Sequence, residues 1–367
     1  MISENKVVVA MSGGVDSSVA AALLVDQGYD VTGMMLRLWS EPGSENSNRC
    51  YTPDSIALAR QVASKIGIPF YVIDAKQEFY EIVVKQFYYG YAQGVTPNPC
   101  LHCNRHIRFG LLLNHALAIG ADYLATGHYA RAISIAAGKL QLLRALDQEK
   151  DQSYVLHVLN QNQLSRALFP LGEYTKEQVR QLADKFGLPV ATRRDSQDLC
   201  FLAGDDYRQF LSRNAPETLK PGIIVTRTGK EVGKHPGLAN FTIGQRKGLG
   251  VSGELPYYVI DKDALNNTLT IGTRDELGST SLVAKEFNWI SEEIPSSPFK
   301  AHVKIRYKAD LVWGTIYPHL DNTVHITFDQ PLRDITPGQA AVIYQEQTCL
   351  GGGVIERTKL PEQDFHN

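Results

Sequence analysis

Apolar residues in the first half of the chain fall alternately into short unbroken runs and into stretches of helical spacing. Val7 to Met11 (VVVAM) has no polar interruption, the pattern of a strand covered on both faces. A turn at Ser12 to Gly14 follows, and Val15, Val19, Ala22 and Leu23 then recur at helical spacing until Gly28 stops the helix. Val31 to Leu36 and Phe70 to Asp74 repeat the strand pattern, with a helix over Asp54 to Ile66, closed by Gly67 and Pro69, between them. A helix over Arg105 to Ile119 and a strand over Asp122 to Thr126 continue the alternation. Strands that alternate with crossover helices predict a doubly wound parallel sheet, so the expected class is α/β. Thr175 and Gln178 carry the spacing of a capping box and predict one more helix, ending near Gly187 and Pro189.

The texture changes after Pro221. Short β-rich runs such as Tyr257 to Asp261 and Thr268 to Ile271, and the Gly/Lys-rich GQRKGLG from Gly244 to Gly250, suggest a small, mostly β, middle domain. From about Ser281 the runs LVAKEFNWI, FKAHVKIRY, TVHITFD, QAAVIYQ and CLGGGVI alternate in and out between turn residues, which predicts a β-barrel. The expected domains are therefore residues 1–210, 211–280 and 281–360, and the closing TKLPEQDFHN reads as a frayed tail.

Composition narrows the function classes. The 367 residues carry 37 basic and 39 acidic side chains for a net charge of −2, with 43% hydrophobic residues, which excludes disorder and coiled coil. A near-neutral chain binds nucleic acid only through local patches. No apolar run reaches the ~20 residues of a membrane span, and the start MISENKVVVA lacks a secretory pattern, so a cytoplasmic protein with no membrane partner is expected. Five cysteines, an odd number, point in a reducing compartment to reactive or metal-binding thiols rather than a disulfide framework.

The turn after the first strand carries the first candidate chemistry. SGGVDSS, Ser12 to Ser18, lies where backbone N–H groups and the positive end of a helix can hold an anion, and Gly13 and Gly14 permit a phosphate to approach closely. It lacks the GK[ST] ending of a Walker A loop. The plainer alternative is a tight turn whose helix is capped by Asp16 and Ser17. The string SGGxDS resembles the loop of the PP-loop ATP pyrophosphatases, which cut ATP between its α- and β-phosphates and adenylate an oxygen of the acceptor. That resemblance implies ATP with Mg²⁺, held by Ala10, Met11, Ser12, Gly13, Gly14, Val15, Asp16 and Ser17, with Met35 and Gly127 beside the adenosine.

Two cysteine segments bear on the acceptor. TPNPCLHCNRHIRFG, Thr96 to Gly110, is expected to end one helix with two prolines and to present Cys100 and Cys103 just before the next begins. With Arg105, His106 and Arg108 beside them, these thiols should be acidic and nucleophilic. DSQDLCF, Asp195 to Phe201, follows Arg193 and Arg194 and holds Cys200, which alone reads equally as a buried apolar filler.

Taken together, SGGVDSS, TPNPxxxCNxxIRFG, GHYAR (Gly127 to Arg131), KDQSYVL (Lys150 to Leu156), DSQDLCF and FTIGQRKGLG closely resemble the tRNA-specific 2-thiouridylase family. The resemblance implies a PP-loop catalytic domain, a small central tRNA-binding domain and a β-barrel, and thiolation at C2 of the wobble uridine, position 34, of tRNAs for Lys, Glu and Gln. Adenylation turns the C2 oxygen into a good leaving group. A persulfide on Cys200, loaded by a sulfur carrier or a cysteine desulfurase, supplies sulfur, and Cys103 acts as nucleophile or resolving thiol, leaving a Cys103–Cys200 disulfide to be reduced. A loop holding Cys200 must then move toward Cys103. The resemblance places the flipped target base against Asn98, Pro99 and Cys100, and tRNA against His128, Lys150, Asp151, Gln152, Arg306, Tyr307 and Gln339. KIRYK reads equally as an alternating strand with a solvated basic face, and Arg246 and Lys247 as plain surface charges.

Many members of that family have Asp where this chain has Cys100, which leaves the role of position 100 open. Cys100, Cys103 and Cys200 together could instead ligate an iron–sulfur cluster with one iron open to hydrosulfide, while a zinc site lacks a four-ligand pattern. Cys50 and Cys349 match nothing, and the polar stretch from Trp39 to Cys50 reads as a loop beside the active face. Two rivals are a PP-loop ligase for a small metabolite, which leaves Cys103 and Cys200 idle, and a non-catalytic tRNA-binding protein, which needs neither the loop nor the thiols.

Overall fold

The computed structural model describes residues 5–43, 52–135, 138–193, 199–202 and 204–357. Cys50, Arg194 and the tail TKLPEQDFHN lie outside the described residues, as does the Trp39 to Cys50 stretch beyond residue 43.

The chain begins with β1 (Lys6–Ala10), α1 (Val15–Asp26), β2 (Asp30–Arg37), α2 (Pro53–Ile66) and β3 (Phe70–Asp74). Two helical stretches follow, α3 over 76–92 and α4 over 99–118, and then β4 (Tyr123–Thr126), a hairpin of β5 (Arg131–Ser134) and β6 (Leu140–Leu143), and the short β7 (Ala167–Leu168). Five strands form a wholly parallel sheet in the order β3-β2-β1-β4-β7. The unbroken apolar run of β1 has a direct cause: Val7 and Val9 pack with α1 and α2 on one face, while Val8 packs with α4 on the other. Each valine is at most 1% exposed, and burying such a side chain stabilises by roughly 1.5–3 kcal/mol.

Local signals set the helix ends. Thr52 accepts from Ser55 N at the start of α2, Pro53 fills the first turn, and Gly67 ends it with φ of 74°. The Thr175/Gln178 capping box opens the helix Lys176–Lys185. One expectation is corrected: α4 begins at Pro99 rather than Arg105, because the Asn98 side chain accepts from Cys100 N and caps it. Cys100 and Cys103 therefore sit in the helix's opening turns, not ahead of them.

Beyond residue 221 a four-stranded sheet, order β10-β11-β8-β9, is built from β8 (Gly222–Thr226), β9 (Glu231–His235), β10 (Tyr258–Asp263) and β11 (Thr268–Gly272). The last six strands are β12 (Ser279–Trp289), β13 (Phe299–Lys304), β14 (Val312–Pro318), β15 (Val324–Leu332), β16 (Ala340–Gln345) and β17 (Thr348–Ile355). They run β12-β15-β14-β13-β16-β17 and close through a β12–β17 pairing into a barrel. The hairpin β5–β6, from within the first domain, adds onto β17 at Cys349 and Leu142.

Polar contacts then seat the barrel on the parallel-sheet domain. The fully buried Tyr154 donates its hydroxyl to Ala340 O at 3.0 Å and receives Ala340 N at 3.2 Å. Gln339 Nε2 donates to Thr96 O at 2.9 Å, Thr96 N donates to Pro337 O at 2.9 Å, and Asn288 Nδ2 donates to the carbonyls of His157 and Leu159. Tyr154→Phe strips two buried backbone groups of their shared partner, so it is expected to cost about 1–3 kcal/mol, read as a lower urea midpoint with an unchanged slope; a midpoint equal to wild type would show that the seat does not depend on this hydroxyl.

Candidate active site

Strand order reverses at β1, and the connections that leave β1 and β4 diverge to opposite sides of the sheet, opening a crevice at their C-terminal ends. Ser12 to Ser18 fills one lip. Gly13 has φ of +71°, and a Cβ there would collide with the Ser55 carbonyl. Arg193 ties the loop down by donating to Gly13 O at 2.6 Å and to Ser55 Oγ at 3.1 Å. The plain capped turn is not what forms: Gly14 is the N-cap without a side-chain bond, Ser17 Oγ accepts from Ser12 N at 3.1 Å, and Asp16 accepts from Tyr129 Oη at 2.9 Å and Lys176 Nζ at 2.7 Å. On the opposite lip Gly127 presses on the start of α1, where a Cβ would stand 2.7 Å from Ser17 N and 2.8 Å from the Asp16 carbonyl carbon. The first-turn N–H groups of α1 thus face a crevice with the helix's positive end toward it.

Between the lips lies a cavity of about 190 Å³, lined among others by Met11, Ser12, Ser17, Gly127, His128 and Cys103. The phosphate loop and a thiol therefore share one wall system. His128 is 5% exposed; its Nε2 lies 3.0 Å from Arg108 Nη1 and its Nδ1 2.8 Å from Thr126 Oγ1. Burial, and then the Arg108 charge, hold this imidazole well below its ordinary pKa. It is neutral, so Nε2 accepts from the guanidinium and Nδ1–H donates to Thr126. Cys103, 9% exposed, belongs to an apolar cluster with Phe79, Phe87 and Phe201, against which Cys200 also packs. Two thiols far apart in sequence are thus gathered by one cluster.

Comparison with known proteins bears directly on this arrangement. Three family models match in order: tRNA methyl transferase HUP domain over residues 5–204, tRNA methyl transferase PRC-barrel domain over 208–273, and Aminomethyltransferase beta-barrel domain over 279–355. The tRNA-specific 2-thiouridylase MnmA of Magnetococcus marinus is 46% identical over 357 residues, 97% of this chain and 100% of that protein. Its counterpart in Natranaerobius thermophilus is 45% identical over 361 residues, 97% and 98% of the two chains. The chain belongs to the tRNA-specific 2-thiouridylase family. PP-loop ATP use comes with that membership.

Against the expectations drawn from the thiouridylase resemblance, Ala10, Met11, Ser12, Asp16, Ser17, Gly127, His128, Gln152 and Cys103 line the cavity, and Gly13, Gly14 and Val15 complete its loop and helix start. Met35 does not line it. Strand alternation turns Met34 and Leu36 to the cavity and packs Met35 on the other face, with Val7 and Val9. Asp151, expected at tRNA, has a wholly buried side chain that accepts from Ala145 N and Ser153 Oγ and pairs with Arg144. It holds the turn that carries Lys150 and Gln152, and Gln152 Oε1 in turn accepts from Tyr129 N. His128, also assigned to tRNA, faces the cavity interior.

Arg306 reaches across domains to Ile243 O at 3.1 Å and to the Thr336 hydroxyl, while Gln339 is the strut to Thr96 already described. Cys100 is exposed near Tyr307, whose phenol pKa is raised by burial first and then by Asp151 and Cys100. Among the described residues no three His, Cys, Asp or Glu side chains gather as a metal site, so Cys100, Cys103 and Cys200 do not form a ligand triad. No helix among the described residues is long and apolar enough to cross a membrane. Cys349 is buried, and burial raises its thiol pKa. The sequence reading assigned no cavity role to Arg108, Thr126, Ile107 or Leu112.

Two measurements follow. Gly127→Ala is expected to weaken ATP binding at least about 100-fold, since a helix start displaced by under an ångström spoils charge-dipole contacts of this class; isothermal titration with ATP checks it, and wild-type affinity would dissociate the close approach from nucleotide binding. The second concerns pH. His128 is depressed by burial and His157, pushed down to about 4 by burial, is 2% exposed. Unfolded histidines near 6.5 bind protons that the folded ones refuse, so stability is complete above pH ~6.5 and falls toward pH ~4 by up to about 1.4 kcal/mol per pH unit for each. Urea midpoints at pH 7.5, 6.0 and 5.0 should decline accordingly, and a level profile would contradict the burial argument.

Proposed function

We propose that the chain is a cytoplasmic, ATP- and Mg²⁺-dependent tRNA uridine 2-sulfurtransferase acting at the wobble position. One observation carries the reading: Cys103 lines the cavity that the SGGVDSS loop and Gly127 form. A metabolite ligase has no use for that thiol, and a binding module has no use for the loop. The domain descriptions speak of methyl transfer, but a phosphate loop facing a thiol suits activation of an oxygen followed by delivery of sulfur.

The uracil O2 attacks the α-phosphorus of ATP, and pyrophosphate leaves with the bond electrons. The terminal sulfur of a Cys200 persulfide then attacks C2 and expels AMP. Attack of the Cys103 thiolate on the inner sulfur breaks the S–S bond, leaving 2-thiouridine and a Cys103–Cys200 disulfide that an external dithiol reduces. The shared apolar cluster of Cys103 and Cys200 supports this pairing. Asn98, Pro99 and Cys100, at the capped start of α4, are the proposed seat of the flipped base. Lys150 and Gln152 with Tyr307 are the proposed tRNA contacts, Arg306 and Gln339 supporting them from the barrel. The proposed substrates are tRNAs for Lys, Glu and Gln, and the proposed donor is a persulfide carrier or a cysteine desulfurase.

Anaerobically purified protein is to be assayed for iron and sulfide, and then for 2-thiouridine formed on unmodified tRNA by wild type, Cys100→Ser, Cys103→Ser and Cys200→Ser. The expected result is no iron, loss of product only in the Cys103 and Cys200 variants, and retention of activity by Cys100→Ser. Stoichiometric iron with all three variants inactive would replace the persulfide cycle by a cluster.

A further inference from the structure

The helix α4 is not wound uniformly. Cys103–Leu112 is bonded i→i+5, between α-helical turns at Pro99–His102 and Leu113–Ala118. The cavity wall takes from this segment Cys103, Ile107, Arg108 and Leu112, at offsets of four, five and nine. In an α-helix of 3.6 residues per turn, Arg108 would lie about 140° and Leu112 about 180° round the axis from Cys103. In an i→i+5 winding the fifth residue returns close to the azimuth of the first, so all four share one face. The winding is thus what turns a thiol and a guanidinium toward the same space.

One side chain from elsewhere and one of the segment's own hold the winding. Gln163 Nε2 donates to the carbonyls of Arg105 at 3.1 Å and Phe109 at 2.7 Å, Asn104 Nδ2 donates to Val155 O at 3.1 Å, and Gln163 is itself fixed by the capping box with Asn160. On the cavity side a chain of contacts fixes the guanidinium's place: Arg108 on His128 Nε2, then Gly127 in the backbone, then Ser17 N and Asp16 of α1 under Gly127. Arg108 therefore stands one histidine away from the helix start that would hold phosphate.

We propose that Arg108 is a further catalytic residue of this reaction, its guanidinium binding the phosphates of ATP while the α-phosphoryl group passes to the uracil oxygen, with Gln163 as the positioning residue that keeps it there. The inference rests on the ATP-dependent thiolation proposed above. In that step the O2–phosphorus bond forms, the bond from the α-phosphorus to the bridging oxygen breaks, pyrophosphate leaves with the electron pair, and uracil gives up its N3 proton to solvent. No electron transfer is involved, and the cation offsets the charge that gathers on the phosphoryl oxygens.

The test measures tRNA-dependent pyrophosphate release and, separately, tRNA binding for wild type, Arg108→Met, Arg108→Lys and Gln163→Leu, each checked for a wild-type urea midpoint. Arg108→Met is expected to lower kcat at least about 100-fold, as removal of a preorganised charge donor does elsewhere, with tRNA affinity unchanged within about twofold and Arg108→Lys in between. Gln163→Leu, which touches no cavity atom, is expected to lower kcat about tenfold with the KM for ATP and tRNA affinity retained. If Arg108→Met keeps wild-type kcat, or loses tRNA affinity alone, the assignment of Arg108 is overturned; if Gln163→Leu keeps wild-type kcat, its positioning role is. Should Arg108→Met fold poorly, Arg108→Lys with a wild-type rate would overturn the need for the planar guanidinium. Wild-type protein that releases no pyrophosphate with tRNA would instead overturn the function on which the inference rests.

Discussion

Two parallel strands that send their connections to opposite sides of a sheet leave a gap at their C-terminal ends, and here that gap is narrowed to contact by one missing Cβ. Gly127 rests on the first turn of α1 so closely that any side chain would enter the Ser17 and Asp16 backbone. Everything at the site is placed from that contact. It sets the depth of the phosphate loop relative to β4, it puts His128 at the next position, and through His128 it locates Arg108 on α4. Gly127 provides proximity, and Gly13 adds the left-handed turn that lets the loop lie against α2.

The barrel is part of the same construction. Gly338, Gln339 and Pro337 meet the backbone of Thr96, two residues before the cap of α4, and Tyr154 pins Ala340. A rigid body behind the 96–100 turn restricts where Cys100 and Cys103 can go, as the base seat proposed for this turn requires, because effective concentration depends on sub-ångström placement. The hairpin β5–β6 closes the tie from the other end by adding strands to β17. The barrel and the parallel-sheet domain are therefore joined through a few polar contacts and a strand pairing.

How far the sequence foretells this depends on the range of the interaction that decides each feature. Four strands of the parallel sheet were legible from their apolar runs, the Thr175/Gln178 capping box and the glycine stops because their partners lie within four residues, whereas the two-residue β7 was too short to show. Strand β14 escaped notice because Gly314 and Pro318 interrupt its alternation, and the β5–β6 hairpin because it gains its place only by pairing with residues two hundred positions away. The start of α4 was misplaced since two prolines read as a break, whereas Asn98 and Pro99 serve as cap and first turn. For Asp151 the sequence shows only a charged residue in a polar string, and the fold adds that Arg144, Ser153 and Ala145 engage its carboxylate.

The winding of α4 marks where sequence periodicity ceases to help. A helix is read from apolar positions by assuming 3.6 residues per turn, and under that assumption Cys103 and Arg108 belong to different faces. The stretch was recognised as helical and as chemically loaded, but not as one surface. An i→i+5 segment is costlier than an α-helix and persists only where neighbours favour it, and the neighbours here are Gln163, the Val155 carbonyl that Asn104 reaches and the apolar residues under Ile107 and Leu112. A sequence records those partners only as a scattered glutamine and asparagine. The constraint that selects them acts in three dimensions: the thiol of Cys103 and the cation of Arg108 line the same small cavity, as the proposed transfer of phosphoryl group and sulfur requires, and a uniform α-helix would turn positions five apart about 140° from one another.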